Sequence, residues 1–355
     1  MPAPLNRQIV LKARPAGGVT ADLFELVESP RPVPGPGEVL IRVRYLSIDP
    51  AMRGWISAAA NYSAPVPIGA PMRSFTLGEV AESNHPNYAP GDLVYGRQGW
   101  QDWAVSDGAD IDRKVDPADG PVTAALHVLG LNGITAYFGL LEVGKPKQGE
   151  TVVVSTAAGA VGSIVGQIAK IRGCRAVGIT GSAAKVRQCL DEFGYHAALD
   201  YRAEADLSAA LSAACPDRID VYFDNTGGPI SDAVLEHLNP GARIVICGTM
   251  GIPDVGPGEP PPVGPRPNRA LLVARARMQG FLVLDHMPRA GEAVAKLSHW
   301  LREGRLRFAE DIVDGLEAAP AALLRVLAGA NTGKMLVRVD DTPAGPAPPR
   351  AVSRK

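Results

Sequence analysis

The 355-residue sequence has no cysteine before Cys174, and its four cysteines, Cys174, Cys189, Cys215 and Cys247, are far apart and form no CxxC pair. No disulfide framework can be read from them, and reduced thiols in a cytoplasmic protein are expected. No apolar run is long enough to span a bilayer. Met1–Arg14 lacks an apolar core followed by a small-residue cleavage site, so no secretion signal is expected. Charge of one sign is missing too: the formal net charge is -1, which favours neither nucleic acid nor an anionic membrane as partner. What is present suits a soluble globule, with 46% hydrophobic and 21% charged residues. The length is too great for one ordinary core and predicts two domains.

The first third reads as all-β. Pro30-Arg31-Pro32-Val33-Pro34-Gly35-Pro36-Gly37 punctuates it, and Val39, Ile41, Val43 and Tyr45 then alternate with Leu40, Arg42 and Arg44. Ala89-Pro90-Gly91-Asp92 reads as a turn into a strand at Leu93-Val94-Tyr95. A compact antiparallel barrel is expected. From Thr151 the pattern changes. Apolar strands at Thr151–Thr156, Arg175–Thr180, Asp220–Phe223 and Arg243–Cys247 alternate with helices at Ser163–Arg172 and Ala183–Phe193. Strands that are apolar on both faces and separated by helices imply a parallel, doubly wound sheet. After a Pro-rich loop, Ile252–Pro267, the pattern predicts a helix over Asn268–Arg277, a strand over Gly280–Leu284, a helix over Gly291–Glu303 and a last strand over Lys334–Val339. A disordered tail is expected over 341–355.

Ala157-Ala158-Gly159-Ala160-Val161-Gly162 lies between a predicted strand and a predicted helix. It matches the G-x-G-x-x-G fingerprint with Ala157 in the first glycine position. Gly159 would let the backbone approach a pyrophosphate, Gly162 would let helix and strand pack closely, and the helix N-terminus favours an anion. About 20 residues on, where an NAD site places a carboxylate, the sequence reads Thr180-Gly181-Ser182 with Lys185 one turn later, and Tyr201-Arg202 follows the next strand. A hydroxylated turn with a cation suits the adenosine 2′-phosphate of NADPH, which a carboxylate would repel.

These residues bring in a family. The chain resembles the zinc-free leukotriene B4 dehydrogenase/prostaglandin reductase branch of the medium-chain dehydrogenases/reductases, and within it the bacterial NADPH-dependent curcumin reductase group. The matching segments are Leu46–Gly54 (LSIDPAMRG), Glu82–Pro86, Gly133–Leu140 (GITAYFGL), the phosphate loop, Val165–Lys170, Gly181-Ser182 with Lys185, Tyr222–Gly228 (YFDNTGG) and Asn331–Lys334. The resemblance implies a GroES-like β-barrel catalytic domain, 1–128 with 311–340, and a Rossmann nucleotide domain, 129–310, with the cofactor in the cleft between them. It implies that Lys185 and Tyr201 hold the 2′-phosphate. Ala158 to Gly162, Thr180, Gly181, Ser182, Cys247 and Gly248 are implied cofactor contacts, with Thr135, Asn225 and Asn331 towards the nicotinamide half. It also implies a homodimer.

No zinc ligand set is expected, because the barrel region has no cysteine and His85 and His127 have no cysteine partners there. The resemblance implies hydride delivery to the β-carbon of a small enone or enal, with an enolate forming on the carbonyl oxygen. Tyr62 matches a substrate-pocket tyrosine and is the candidate donor to that oxygen. Packing beneath the neighbouring prolines is its plainer role, and the cofactor ribose hydroxyl is a second candidate donor. Tyr45 reads as core, and Tyr137 as packing in the first helix of the nucleotide domain. Similar reductases carry Ser-x-Tyr-Asn where this chain reads Thr249-Met250-Gly251-Ile252, so one hydroxyl near the substrate is missing. A quinone reductase on the same fold and a non-catalytic NADPH-binding sensor are the alternatives.

Overall fold

The computed structural model describes residues 5–58, 62–252, 260 and 262–339. The tail 341–355, expected to be disordered, lies outside the described residues, as does half of the Pro-rich loop after Ile252. Fifteen strands are described: β1 (Leu5–Leu11), β2 (Phe24–Pro30), β3 (Val39–Ser47), β4 (Thr76–Ser83), β5 (Leu93–Gly96), β6 (Trp103–Ser106), β7 (Ile111–Lys114), β8 (Thr151–Ser155), β9 (Arg175–Thr180), β10 (Ala197–Asp200), β11 (Ile219–Asp224), β12 (Leu238–Ile246), β13 (Arg277–Gly280), β14 (Glu310–Asp314) and β15 (Lys334–Arg338). They fall into two compact units. One takes in the chain up to Leu126 and from Glu310 onward, and the other is His127–Ala309.

In the first unit, a sheet runs β14-β15-β3-β4-β5-β7, with β6 also paired to β3, and β1 and β2 form an antiparallel pair. The Ala89–Asp92 turn forms as its sequence requires. Gly91 takes φ 91°, a left-handed conformation natural to glycine, and the Asp92 carboxylate accepts from Ala89 N at 2.9 Å. β3 departs from the simple alternation. Leu40 and Leu46 are as buried as Val39, Ile41 and Val43, and only Arg42 is exposed. β3 is hydrogen-bonded to β4, β6 and β15, and in a sheet curled this far its second face is covered near both ends.

In the second unit the sheet is wholly parallel, in the order β10-β9-β8-β11-β12-β13. Counted from β8, this is the 3-2-1-4-5-6 order of a Rossmann sheet, with its topological switch point between β8 and β11. β8 is central and buried at all five positions, as its unbroken apolar run requires. The helix Gly162–Ile171 follows β8, and Ala183–Asp191 follows β9. The expected strand at Gly280–Leu284 is displaced. Arg275 turns left-handed and ends the preceding helix at Ala274, so β13 starts at Arg277, pairs with Arg243–Ile246 and ends at Gly280. Val283–Arg289 is then a 3-10 helix. β14 and the helix Ala319–Leu327 have no counterpart in the sequence reading.

Candidate cofactor site

The phosphate loop is built by crowding. Thr156 takes φ 53° directly after β8, and its carbonyl accepts from Gly159 N at 2.8 Å. A Cβ on Gly162 would lie 2.2 Å from that carbonyl oxygen and 2.9 Å from Ala157 Cα. One on Gly159 would lie 2.8 Å from Thr156 Cγ2. Both glycines are therefore needed for closeness of approach. The Tyr195 phenol donates to the Gly162 carbonyl at 2.6 Å and lies so close over Gly166 that only glycine fits there as well. Among the described residues the N–H groups of Ala160 and Val161 meet no acceptor. They stand at the N-terminus of a ten-residue helix, which makes them a fitting seat for a pyrophosphate.

Two further loops are tied to this one at the switch point. Asn225 spans β8 and β11: its N–H donates to Ser155 Oγ at 2.8 Å and its Nδ2 to Ser155 O at 2.7 Å. The buried Asp224 carboxylate accepts from Tyr222 OH at 2.9 Å, Thr226 N at 2.9 Å and Gly227 N at 2.8 Å, and from Ser231 Oγ. The Asp224 carbonyl accepts from Cys247 N at 2.8 Å and Gly248 N at 3.1 Å. A Cβ on Gly248 would stand 2.8 Å from Asn225 O. Ala158–Gly162, Asn225, Cys247 and Gly248 thus stand on three loops at the C-terminal ends of adjacent strands. The Cys247 thiol is pushed up to about 12 by burial, so it remains a neutral thiol at physiological pH.

A separate cluster forms at the end of β9. Thr180 is buried and its carbonyl accepts from Tyr201 N at 2.9 Å. The Ser182 hydroxyl caps the next helix by accepting from Lys185 N at 3.3 Å. Gly181 lies against the Tyr201 ring, where a Cβ would stand 3.0 Å from Cε1. Arg202 Nε donates to Tyr201 OH at 3.2 Å. The Lys185 ammonium is held below its ordinary pKa, first by burial and then by the Arg202 charge. Asp200 turns its carboxylate onto the Arg202 backbone N–H at 3.1 Å and makes no ion pair among the described residues. Two cations held together with a phenol and a serine suit a dianion. From sequence, Arg202 was noted only as following Tyr201 after the next strand, with no phosphate contact assigned to it. Only the fold of the turn brings it back over the phenol.

The remaining candidates are placed as follows. Thr135 is buried and its hydroxyl donates to Leu131 O at 2.7 Å, so the proton is taken up by its own helix and the oxygen can act only as an acceptor. Tyr137 packs in the second unit, edge to face with Phe138, its phenol donating to Glu292 at 3.2 Å. Asn331 and Tyr62 belong to the first unit. Asn331 Nδ2 donates to Gly333 O at 2.6 Å. Tyr62 is 51% exposed and opens a segment strapped by Arg73, which donates to Ser63 Oγ at 3.3 Å and Ala64 O at 3.0 Å with its guanidinium over Trp55. Phe75 and Tyr95 stack in the same unit, and Tyr45 is buried there.

The described residues do not fit a zinc centre. Among the described residues no group of three or more His, Cys, Asp or Glu could hold a metal ion. His85 sits in a polar turn, its Nδ1 accepting from Asn87 N at 3.1 Å. Burial pushes Cys174, Cys189 and Cys215 up to about 11, 12 and 11, so each stands as a neutral buried thiol.

Comparison with known proteins agrees with this architecture. Residues 7–113 match the family described as N-terminal domain of oxidoreductase, and 160–299 the one described as zinc-binding dehydrogenase. The chain is 43% identical over 338 residues to the NADPH-dependent curcumin reductase of Escherichia coli (strain K12), covering 94% of this chain and 97% of that one. It is 37% identical to the NADP(+)-dependent 2-alkenal reductase of Nicotiana tabacum, covering 94% and 97%. The crystal structure of CurA in complex with NADPH from Vibrio vulnificus, 42% identical, superposes with a TM-score of 0.88 and covers 95% of this chain and 100% of that one. The chain belongs to the zinc-free branch of the medium-chain dehydrogenase/reductase family.

Proposed function

We propose that the protein uses NADPH to reduce the carbon–carbon double bond of small α,β-unsaturated ketones and aldehydes. The observation that carries the cofactor half is the pairing of Lys185 and Arg202 around Tyr201, at the strand end where an NAD site would place a carboxylate. The substrate half draws on the relatives: an NADPH-dependent curcumin reductase, a 2-alkenal reductase and a (+)-pulegone reductase. In this reading His127–Ala309 is the nucleotide domain and the other unit the catalytic domain, close to the 129–310 and 1–128 with 311–340 division expected from sequence.

When bound, the cofactor would supply a hydride to the substrate's β-carbon; the charge would gather on the carbonyl oxygen, and a proton from solvent or a phenol would complete the reduction at the α-carbon. The chain's own residues bind and orient. Ala160 and Val161 offer N–H groups to the pyrophosphate, with Ala158, Gly159 and Gly162 shaping the turn. Ser182, Lys185, Tyr201 and Arg202 surround the 2′-phosphate beside Thr180 and Gly181. Asn225, Cys247 and Gly248 border the switch point, and Thr135 and Asn331 offer polar groups to the nicotinamide half. The exposed Tyr62 phenol is the candidate donor to the enolate oxygen.

The protein is proposed to act as a cytoplasmic homodimer. Its four cysteines are free thiols. Among the described residues β13 bonds only to β12, and Leu272 and Val273 in the preceding helix, Asn268–Ala274, are 76% and 62% exposed. A panel of enals, enones and quinones with NADPH tests the activity. Turnover of enals and enones is expected, and exclusive turnover of quinones would overturn the substrate class.

A further inference from the structure

We infer that His127 is a positioning residue for the pyrophosphate, acting through the peptide bond between Ala160 and Val161. The inference rests on reading the loop after β8 as the pyrophosphate seat. His127 is fully buried, and its ring meets Phe308 edge-on, with centroids 5.6 Å apart. Its Nε2 lies 3.1 Å from the Ala160 carbonyl oxygen. A carbonyl can only accept, so this nitrogen carries the proton and donates it. Ser163 Oγ approaches the same oxygen at 3.5 Å, too long to fix it unaided.

The consequence follows from peptide geometry. In a planar trans peptide the C=O and N–H vectors point in opposite directions. Holding the Ala160 oxygen on the imidazole therefore aims the Val161 N–H away from His127. That N–H meets no acceptor among the described residues, and Val161 is the N-cap of the helix Gly162–Ile171. Both glycines of the loop permit close approach, but neither fixes which way this peptide faces. His127 supplies that choice before the ligand arrives, so binding does not have to meet the cost of turning the peptide.

The test is calorimetric titration of the full-length protein, His127→Phe and His127→Gln with NADPH and with adenosine 2′-monophosphate, which carries the 2′-phosphate but no pyrophosphate. Phenylalanine keeps the packing on Phe308 and loses the donor; glutamine keeps an amide N–H of similar reach. His127→Phe is expected to weaken NADPH about three- to tenfold, the range of one neutral hydrogen bond, and to leave adenosine 2′-monophosphate within about twofold. His127→Gln is expected to restore most of the NADPH affinity, and the KM for NADPH should rise in His127→Phe with kcat held. Equal weakening of both ligands, or unchanged NADPH binding, would overturn the inference alone. A wild-type protein that binds neither nucleotide would overturn the functional reading with it. Should His127→Phe fail to fold, His127→Asn, whose amide is too short to reach Ala160 O, carries the same expectation.

Discussion

Lys334 Nζ lies 2.6 Å from Asp49 Oδ1 and donates to the Ile48 carbonyl at 2.8 Å, and both side chains of the pair are almost wholly buried. The contact ties the first residue of β15 to the segment just after β3, 285 residues away. Ser47 Oγ donates to the other Asp49 oxygen. Burying two charges gains little over an apolar pair, but removing one partner strands the other. Lys334→Met should cost about 3–5 kcal/mol in urea unfolding. The double variant Lys334→Met with Asp49→Leu should cost less than the single one. A single variant within about 0.5 kcal/mol of wild type would show that water replaces the lost cation.

A second, half-buried group gives a pH dependence. The Glu310 carboxyl donates nothing outward: Thr123 Oγ1 donates to its Oε2 at 3.0 Å, and its Oε1 is enclosed with no hydrogen-bond partner. Burial pushes its pKa from the ordinary 4.5 up to about 7, against the opposing pull of the Thr123 hydroxyl and the Lys334 charge. The folded protein therefore holds a proton that the unfolded chain gives up above 4.5. Between these values the folded state binds more protons, so stability falls as pH rises, and the contribution is fully present only below about 4.5. A rise of this size corresponds to about 3 kcal/mol lost by pH 8. Glu310→Gln should flatten the decline between pH 5 and 8 and should be more stable than wild type at pH 8. Parallel stability curves for the two proteins would refute the assignment.

At the end of β9 the expected effect lies in cofactor choice. Lys185→Ala and Arg202→Ala should each raise the KM for NADPH about tenfold or more, as expected for charge-assisted hydrogen bonds to a dianion, and leave the KM for NADH nearly unchanged. kcat should hold, because a 2′-phosphate is bound equally well before and during reaction. If NADPH and NADH suffered alike, the pair would be supporting the turn rather than reading the phosphate.

Much of this site was legible because two periodicities change at once. The unbroken TVVVS run can only be a strand buried on both faces, and the glycines after it stand where a strand must hand over to a helix without room for a Cβ. Lys185 was singled out by its offset along that pattern and Tyr201 by the family resemblance, and the fold brings both to the end of β9. Other features had no local signal. β14 is charged at three of five positions, Glu310, Asp311 and Asp314, because it packs at the rim of its sheet, and no alternation survives there. Nothing local marks Lys334 as the partner of Asp49, because it reaches that carboxylate only through the return of the chain to the first unit. His127 and Arg202 act through a carbonyl and a phenol set by tertiary folding. Offsets along the sequence carry no information about the first contact, and adjacency alone does not set Arg202 over the Tyr201 phenol.

The crowding at Gly162 predicts an outcome opposite to helix propensity. Alanine is the better helix former by about 1 kcal/mol, and Gly162 opens a helix at a φ that alanine accepts. A methyl group there would stand 2.2 Å from Thr156 O and 2.9 Å from Ala157 Cα, both backbone atoms that cannot swing aside. The loop must open, at a cost of about 1–3 kcal/mol, and the Ala160 and Val161 N–H groups lose their setting. Gly162→Ala should therefore lower the melting temperature and weaken NADPH more than tenfold. Gly291 is the control: it lies in the helix Ala290–Arg302, and a Cβ there meets nothing within 4 Å. Gly291→Ala should stabilise by up to about 1 kcal/mol and leave NADPH binding alone. The same chemical change is thus expected to have opposite signs at two helix starts. Thermal unfolding and NADPH titration of the two variants, side by side, would show whether contact with Thr156 O is the cause.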